Sequence, residues 1–230
     1  MKYYPVHLDI AGRNCLVVGG GSVASRKVST LLKCSATVTV VSPKVCDRLD
    51  QLAAEGAIRL NKRPYRSTDL DGMFLVIGAT DDEDVNRRIS QDAEARRMLC
   101  NIADRPEVCN FILPSIVRRG DLIVTISTSG SSPAFAKKMR QSLESQFGEE
   151  YADFLRLMAA VRKRLLSQAH APEAHKPIFE ALINSELIDW LRDRKTENID
   201  SLLRSVLGPG FTFEKLMSSE SEPLPNRQEK

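Results

Sequence analysis

At 230 residues, with 42% hydrophobic and 27% charged side chains, the chain has the composition of a soluble globular protein and the length for one large or two modest domains. Its 33 basic and 30 acidic residues leave a formal charge of +3, too near balance to imply nucleic acid or a membrane surface as partner. Five cysteines at positions 15, 34, 46, 100 and 109 form no C-x-x-C pair and read as reduced structural thiols; no signal segment is read and no apolar run nears the ~20 residues of a bilayer crossing, so a cytoplasmic enzyme or binding protein is expected.

Residues 14–18 read as a strand that breaks into Gly19-Gly20-Gly21, after which Ala24, Val28, Leu31 and Leu32 follow the spacing of a helix face. Residues 37–41 form the next strand, ended by Ser42-Pro43, with a helix over 47–55 and a short edge strand over 57–60. Residues 73–79 are apolar throughout, as in a parallel strand covered on both faces; a polar helix over 82–97 then leads to a strand over 99–103. This alternation predicts an α/β fold with a doubly wound parallel sheet. Beyond residue 113 the rhythm changes. A strand over 121–127 and a turn over 128–133 precede a helix started by Ser132 as N-cap and Pro133 as first residue, with Phe135, Met139, Leu143 and Phe147 four apart. From Tyr151 the chain reads as helical, with one helix over 151–165, a second over 178–190 and a third over 199–207.

A strand that stops at glycines and restarts as a helix points unpaired N–H groups and the positive end of the helix dipole at one spot, which suits a pyrophosphate. Gly19, Gly21 and Ala24 fit G-x-G-x-x-G/A, the dinucleotide fingerprint: a tight turn, room for phosphate oxygens and close helix–strand packing. Ligands of such sheets lie beyond the carboxyl ends of the strands. The cofactor candidates are therefore Gly19, Gly21, Ser22, Val23 and Ala24, then Ser42 and Pro43, Thr80, and Asn101. The acid that usually holds the ribose hydroxyls is replaced by Ser42, which can still hydrogen-bond a ribose, while the adjacent Lys44 can attract a 2′-phosphate; NAD and NADP both stay open.

Asp104, in Asn101-Ile102-Ala103-Asp104-Arg105-Pro106, follows a buried strand at the cofactor end. Such a carboxylate can take a proton or orient a substrate; a salt bridge to Arg105 is the structural alternative. The run 127–133 presents hydroxyls and N–H groups at a helix start, beside Arg118, Arg119, Lys137, Lys138 and Arg140, and reads either as a capping loop with a solvated basic face or as a site for an acidic substrate. Metal chemistry is not expected: His170 and His175 lack helical zinc spacing and read as surface residues. No G-x-S-x-G elbow or G-K-[ST] loop ending supports a hydrolase or P-loop reading.

Four ordered motifs carry a resemblance over residues 1–215. They are Tyr4-Pro5-Val6 leading into the stretch from Val17 to Lys27, Ala79-Thr80-Asp81-Asp82 with Asn86, Asn101 to Asp104 followed by Asn110-Phe111-Ile112-Leu113-Pro114-Ser115, and the run from Ile126 to Pro133. In these the chain resembles the precorrin-2 dehydrogenases of siroheme synthesis, which occur alone and as the N-terminal part of siroheme synthases. The resemblance implies a Rossmann domain over 1–113, a central dimerisation region over 114–148 and a helical C-terminal domain over 149–217; the Ser-, Glu- and Pro-rich tail 218–230 reads as disordered. It implies oxidation of precorrin-2 to sirohydrochlorin with NAD, in some members with ferrous iron insertion, and a homodimer whose subunits build the sites together. Asp104 is then the catalytic base. Ser127, Ser129, Gly130, Ser132 and Lys137 become substrate residues, the nearby cations facing an eight-carboxylate macrocycle. A non-enzymatic nucleotide-sensing module is the competing reading, since regulatory domains carry similar glycine loops.

Overall fold

The apolar runs of the first half become five parallel strands because each is flanked by helices that cover both faces of the sheet. The computed structural model describes residues 2–166 and 175–218, and the chain divides into two compact units, Met1–Leu113 and Pro114–Lys230.

In the first unit the elements run β1 (Asn14–Val18), α1 (Ser22–Lys33), β2 (Thr37–Val41), α2 (Asp47–Ala54), β3 (Arg59–Asn61), β4 (Leu75–Gly78), α3 (Glu83–Ala95) and β5 (Leu99–Ile102). The sheet order is β3-β2-β1-β4-β5, all parallel. This is the doubly wound, Rossmann-like sheet expected from the alternation of elements, and its order reverses between β1 and β4, where such sheets open their ligand crevice. Alternate residues serve opposite faces. Cys15, Val17, Val38, Val40, Leu75 and Ile77 pack on Ala24, Val28 and Leu31 of α1 and on Leu49 and Leu52 of α2. Leu16, Val18, Val76, Cys100 and Ile102 pack on Ile89 and Ala93 of α3.

The second unit opens with a hairpin, β6 (Ser115–Arg119) and β7 (Leu122–Ile126), followed by α4 (Pro133–Gln146), α5 (Glu150–Leu166), α6 (Lys176–Ile183), α7 (Leu187–Arg192), α8 (Thr196–Leu207) and α9 (Phe213–Ser218). Its helices α5–α9 close over Leu157, Val161, Leu182, Leu187, Ile199 and Leu203, all buried.

Four local expectations change. The strand β6 goes unread in the sequence because its end, Arg118-Arg119, carries charge; the pair flanks the hairpin turn at Gly120, which takes φ +55°. The single helix expected over 178–190 is two, because Ser185 competes with the helix backbone: its Oγ donates to Leu182 O at 2.7 Å and accepts from the Leu187 N–H at 3.2 Å. α9 follows the Gly208-Pro209-Gly210 stop, past the last helix expected. His175, expected at the surface, is buried at 6% exposure. His170 and residues 219–230 of the tail lie outside the described residues.

One ion pair joins the start of α5 to α7: Arg192 Nη2 lies 3.0 Å from Glu150 Oε1, and the Glu150 side chain is only 10% exposed. Burial pushes the Glu150 carboxyl up, but its own backbone N–H and Arg192 outweigh this and hold it below the usual carboxylate range. A depressed folded-state value stabilises the fold above the unfolded carboxyl's pKa, and that contribution disappears as pH falls through the folded value. Arg192→Met is expected to lower Tm at pH 7 by roughly 2–4 °C, and the gap between variant and wild type should narrow in scans taken at progressively acid pH.

Candidate active site

The glycine turn is dictated by three strand ends crowding one spot. Gly19 takes φ +124°, and a Cβ there would fall 2.1 Å from the Ala79 carbonyl oxygen just past β4. Its N–H donates to Val41 O at the end of β2, at 3.0 Å. Gly20 is as constrained: a Cβ would sit 1.9 Å from Lys44 O, and the Gly20 carbonyl accepts the Cys46 N–H at 2.8 Å. Gly21 differs, with nothing within 4 Å of its would-be Cβ. It is the N-cap of α1, has no capping side chain, and no acid stands in the helix's first turn. The N–H groups of Ser22, Val23 and Ala24 thus start a helix that meets an open space, while Ala24 itself is fully buried against the strand. The positive end of α1 and the space at Gly21 fit a dinucleotide pyrophosphate.

The other cofactor candidates divide. Ser42 is buried, and its hydroxyl donates to Lys44 O at 2.7 Å, so it braces the turn that crowds Gly20 and keeps no free proton for a ribose. A hydrogen bond from Ser42 to a ribose would then use its oxygen as acceptor. Pro43 and Lys44 are exposed beside it. Thr80 lies at the rim beyond β4, where its Oγ1 accepts the Asp82 N–H at 3.1 Å and its carbonyl accepts from Asn86 Nδ2 at 2.8 Å. Asn101 is buried, and its Nδ2 donates to Phe111 O at 3.0 Å, tethering the chain that returns along β5.

Asp104 stands alone at the end of β5. It is exposed, takes φ +60°, and has no hydrogen bond or ion pair among the described residues. Arg105, its alternative partner, is paired instead with Glu83 and, at 3.7 Å, with Glu107. The nearest influence is Lys27, half-buried on α1. Burial and Arg26 draw the Lys27 pKa below the ordinary lysine range, against the opposing pull of Asp104 and Cys109. A carboxylate whose oxygens are free of hydrogen-bond partners among the described residues is open to a proton donor.

In the second unit the hydroxyl turn is self-satisfied. Ser127 Oγ accepts the Ser129 N–H and Thr128 Oγ1 the Ser132 N–H, both at 3.1 Å, and Ser132 Oγ caps α4 by accepting the Phe135 N–H at 3.2 Å. Ser129 and Gly130 take φ +53° and +88° and are exposed. The expected cation cluster is reduced: Arg140 pairs with Glu144, and Arg119 reaches Glu144 O and Glu149. Lys137 and Lys138 remain exposed, without an ion pair among the described residues. Also among those residues, no group of three His, Cys, Asp or Glu is placed to hold a metal.

Residues 6–115 match a family model described as putative NAD(P)-binding, and residues 119–146 match one described as sirohaem biosynthesis protein central. The siroheme synthase of Nitrosococcus oceani is 35% identical over 94% of this chain and 46% of its own length; that of Thioalkalivibrio sulfidiphilus is 37% identical over 92% and 43%. The solved structure of SirC, a precorrin-2 dehydrogenase, superposes with a TM-score of 0.77 at 27% identity, covering 89% of this chain and 99% of that one. Over nearly all its length the chain is similar to siroheme synthases and to a precorrin-2 dehydrogenase. It spans about half the length of the siroheme synthases it matches. Gly20, Lys27, Asn86 and Cys109 are site neighbours not named as site residues from the sequence. All four lie inside or beside the quoted motifs; Gly20 and Lys27 meet chain distant in sequence, at Lys44 and Asp104, while Asn86 and Cys109 bond within eight residues.

The two glycines give opposite expectations. Gly20→Ala should cost folding, lowering Tm by several degrees as the Lys44 carbonyl is forced away. Gly21→Asp should leave Tm near wild type and weaken nicotinamide nucleotide binding at least ~10-fold, through bulk and charge at the helix start; fluorescence titration with NADH beside a thermal melt separates the two.

Proposed function

We propose that the protein is an NAD-dependent precorrin-2 dehydrogenase that oxidises precorrin-2 to sirohydrochlorin. The observation that carries the reading is the unpartnered Asp104 carboxylate, raised on a left-handed backbone at the end of β5 in a unit whose glycine turn fits a dinucleotide. The likeness to siroheme synthases and to SirC supports a tetrapyrrole as the substrate class.

In this reading the N–H groups of Ser22, Val23 and Ala24 hold the pyrophosphate, and the bare backbone of Gly21 lets it approach. Bound nicotinamide supplies the hydride acceptor. Asp104 takes the proton that leaves the macrocycle with the hydride and passes it to solvent, and the protein's task is to hold that carboxylate in line. Lys137 attracts a substrate carboxylate, and Ser129 and Gly130 offer exposed backbone beside it. With Ser42 engaged and Lys44 exposed, no acid at the end of β2 opposes a 2′-phosphate, so NADP is expected to bind as well as NAD serves.

Residues 114–148 are assigned to pairing with a second copy of the chain. The supporting feature is apolar surface left open within that region: Ile116 at 42%, Ile123 at 43% and Phe135 at 54% exposure. Among the described residues no helix is long and apolar enough to cross a membrane, and the five cysteines are free, both in keeping with a cytoplasmic enzyme. A second reading, ferrous iron insertion into sirohydrochlorin, is supported by the same free carboxylate, since metal insertion also requires a base to remove pyrrole protons.

Incubation of the protein with precorrin-2 and NAD should yield NADH absorbance together with sirohydrochlorin. Asp104→Asn should lower kcat about 10²–10⁴-fold with NADH affinity unchanged. Absence of turnover with either nicotinamide nucleotide would sink the dehydrogenase reading in favour of a nucleotide sensor, and a fully active Asp104→Asn would return Asp104 to a structural role. Running the assay with and without ferrous iron, against the uncatalysed rate, decides the insertion activity.

A further inference from the structure

The backbone that presents Asp104 is tied to β4 by the Ala103 N–H, which donates to Gly78 O at 2.8 Å, and to the chain that follows it by a sulfur. Cys109 Sγ accepts the Ile102 N–H at 3.0 Å, and its S–H is shared between the carbonyls of Ile102 at 3.3 Å and Arg105 at 3.1 Å. Asn101 Nδ2 also approaches it, at 3.7 Å. These contacts bracket Asp104 on both sides, at the last residue of β5 and at the residue that follows the carboxylate. The chain beyond is fixed in turn by Asn110. Its Oδ1 accepts the Cys100 N–H at 2.8 Å, its Nδ2 donates to Met98 O at 2.7 Å and its backbone N–H bonds Cys100 O at 3.2 Å, so this one residue pairs with β5 as a further strand would.

We propose that Cys109 is a positioning residue for Asp104: its thiol staples the turn 102–105 to the chain returning along β5, and so fixes the direction of the carboxylate. The proposal rests on the reading of Asp104 as the proton acceptor. The other ties of this turn are backbone bonds: Ala103 N–H to Gly78 O at 2.8 Å, Arg105 N–H to Ile102 O at 3.3 Å and Val108 N–H to Arg105 O at 3.2 Å. Among the described residues Asp104 has no hydrogen bond or ion pair of its own, its φ of +60° lies in the left-handed region, which aspartate enters more readily than most residues but still at some cost, and the Arg105 side chain is turned away toward Glu83. The staple needs the sulfur to accept one bond and donate another, which a neutral thiol does and a thiolate does not. Burial raises the Cys109 pKa, and Glu107 adds to it, against the opposite influence of the Ile102 N–H and of Lys27. The proton therefore stays on the sulfur at neutral pH.

The roles of donor and acceptor are shared by a serine hydroxyl and missing from alanine, which gives the test. Cys109→Ala and Cys109→Ser are compared in the full-length protein by kcat and KM with precorrin-2 and NAD, by NADH affinity, and by hydrogen exchange of the Ile102 amide. A carboxylate displaced by about 1 Å loses rate on the order of 10²-fold. Cys109→Ala is expected to show a kcat ~10- to 100-fold lower, KM and NADH affinity within about twofold of wild type, and faster Ile102 exchange, with Cys109→Ser recovering most of both losses. Wild-type kcat and Ile102 protection in Cys109→Ala would overturn the proposal, as would equal impairment of alanine and serine variants accompanied by loss of NADH binding, which marks a general packing role. If the wild-type protein itself turns nothing over, the functional reading of Asp104 fails, and unchanged or accelerated Ile102 exchange in Cys109→Ala still decides whether the sulfur holds the turn.

Discussion

The first unit depends on the absence of two side chains. At Gly19 and Gly20 the main chain lies so close to the carbonyls of Ala79 and Lys44 that any Cβ would overlap them, and both neighbours are backbone, which cannot rotate away. The contacts draw the ends of β1, β2 and β4 together at the point where the strand order reverses. Because these ends are tied to each other, the next residue, Gly21, is left facing open space at the start of α1. The crevice is therefore a consequence of how the sheet edges pack. An unobstructed helix N-terminus needs some element to keep neighbouring chain away from it, and here that element is the pair of crowded glycines immediately before it.

The sheet was legible because its strands are buried on both faces. A run such as residues 75–78 has no polar face to confuse its reading, and burial within a parallel sheet follows from helices that are themselves legible from Ala24, Val28 and Leu31 or from Ile89 and Ala93. The hairpin of the second unit was half legible. β7 is apolar at all positions but Thr125, whereas β6 ends in two arginines, Arg118 turned back on Gly120 O and Arg119 reaching Glu144 and Glu149 far along the chain, and charge at a strand end reads as surface until those partners are known. Ser185 shows the limit for helices. Its hydroxyl gives the backbone an alternative to helical bonding, and the apolar spacing on either side carries no trace of that choice.

The candidates beyond the strand ends were legible as positions in the fold, but hydrogen-bond commitments are invisible in sequence. Ser42 occupies the ribose position and spends its proton on Lys44 O; Asn101 occupies the end of β5 and spends its amide on Phe111 O. The reverse holds for Cys109, which composition sorts among inert thiols although its sulfur contacts the backbone on both sides of Asp104. A cysteine count carries information about disulfides and metals; it carries none about a thiol that acts as a single hydrogen-bonding hinge pin.

A proton-accepting carboxylate faces two requirements that pull against each other. It must be held in place, and the usual means of holding a carboxylate is an ion pair or a set of N–H donors, which occupy its lone pairs and lower its affinity for the proton it is to receive. The surroundings of Asp104 separate the two. Position comes from the backbone, through the thiol of Cys109 and the strand-like pairing of Asn110, neither of which touches the carboxylate. Lys27, half-buried on α1, feels Asp104, which pulls its pKa upward against burial and Arg26, yet no ion pair joins the two among the described residues. Arg105, the cation best placed by sequence to neutralise Asp104, is kept occupied by Glu83 and Glu107. The two glutamates thus have a part in the same arrangement: removing them would free a guanidinium one residue from the carboxylate proposed as the base.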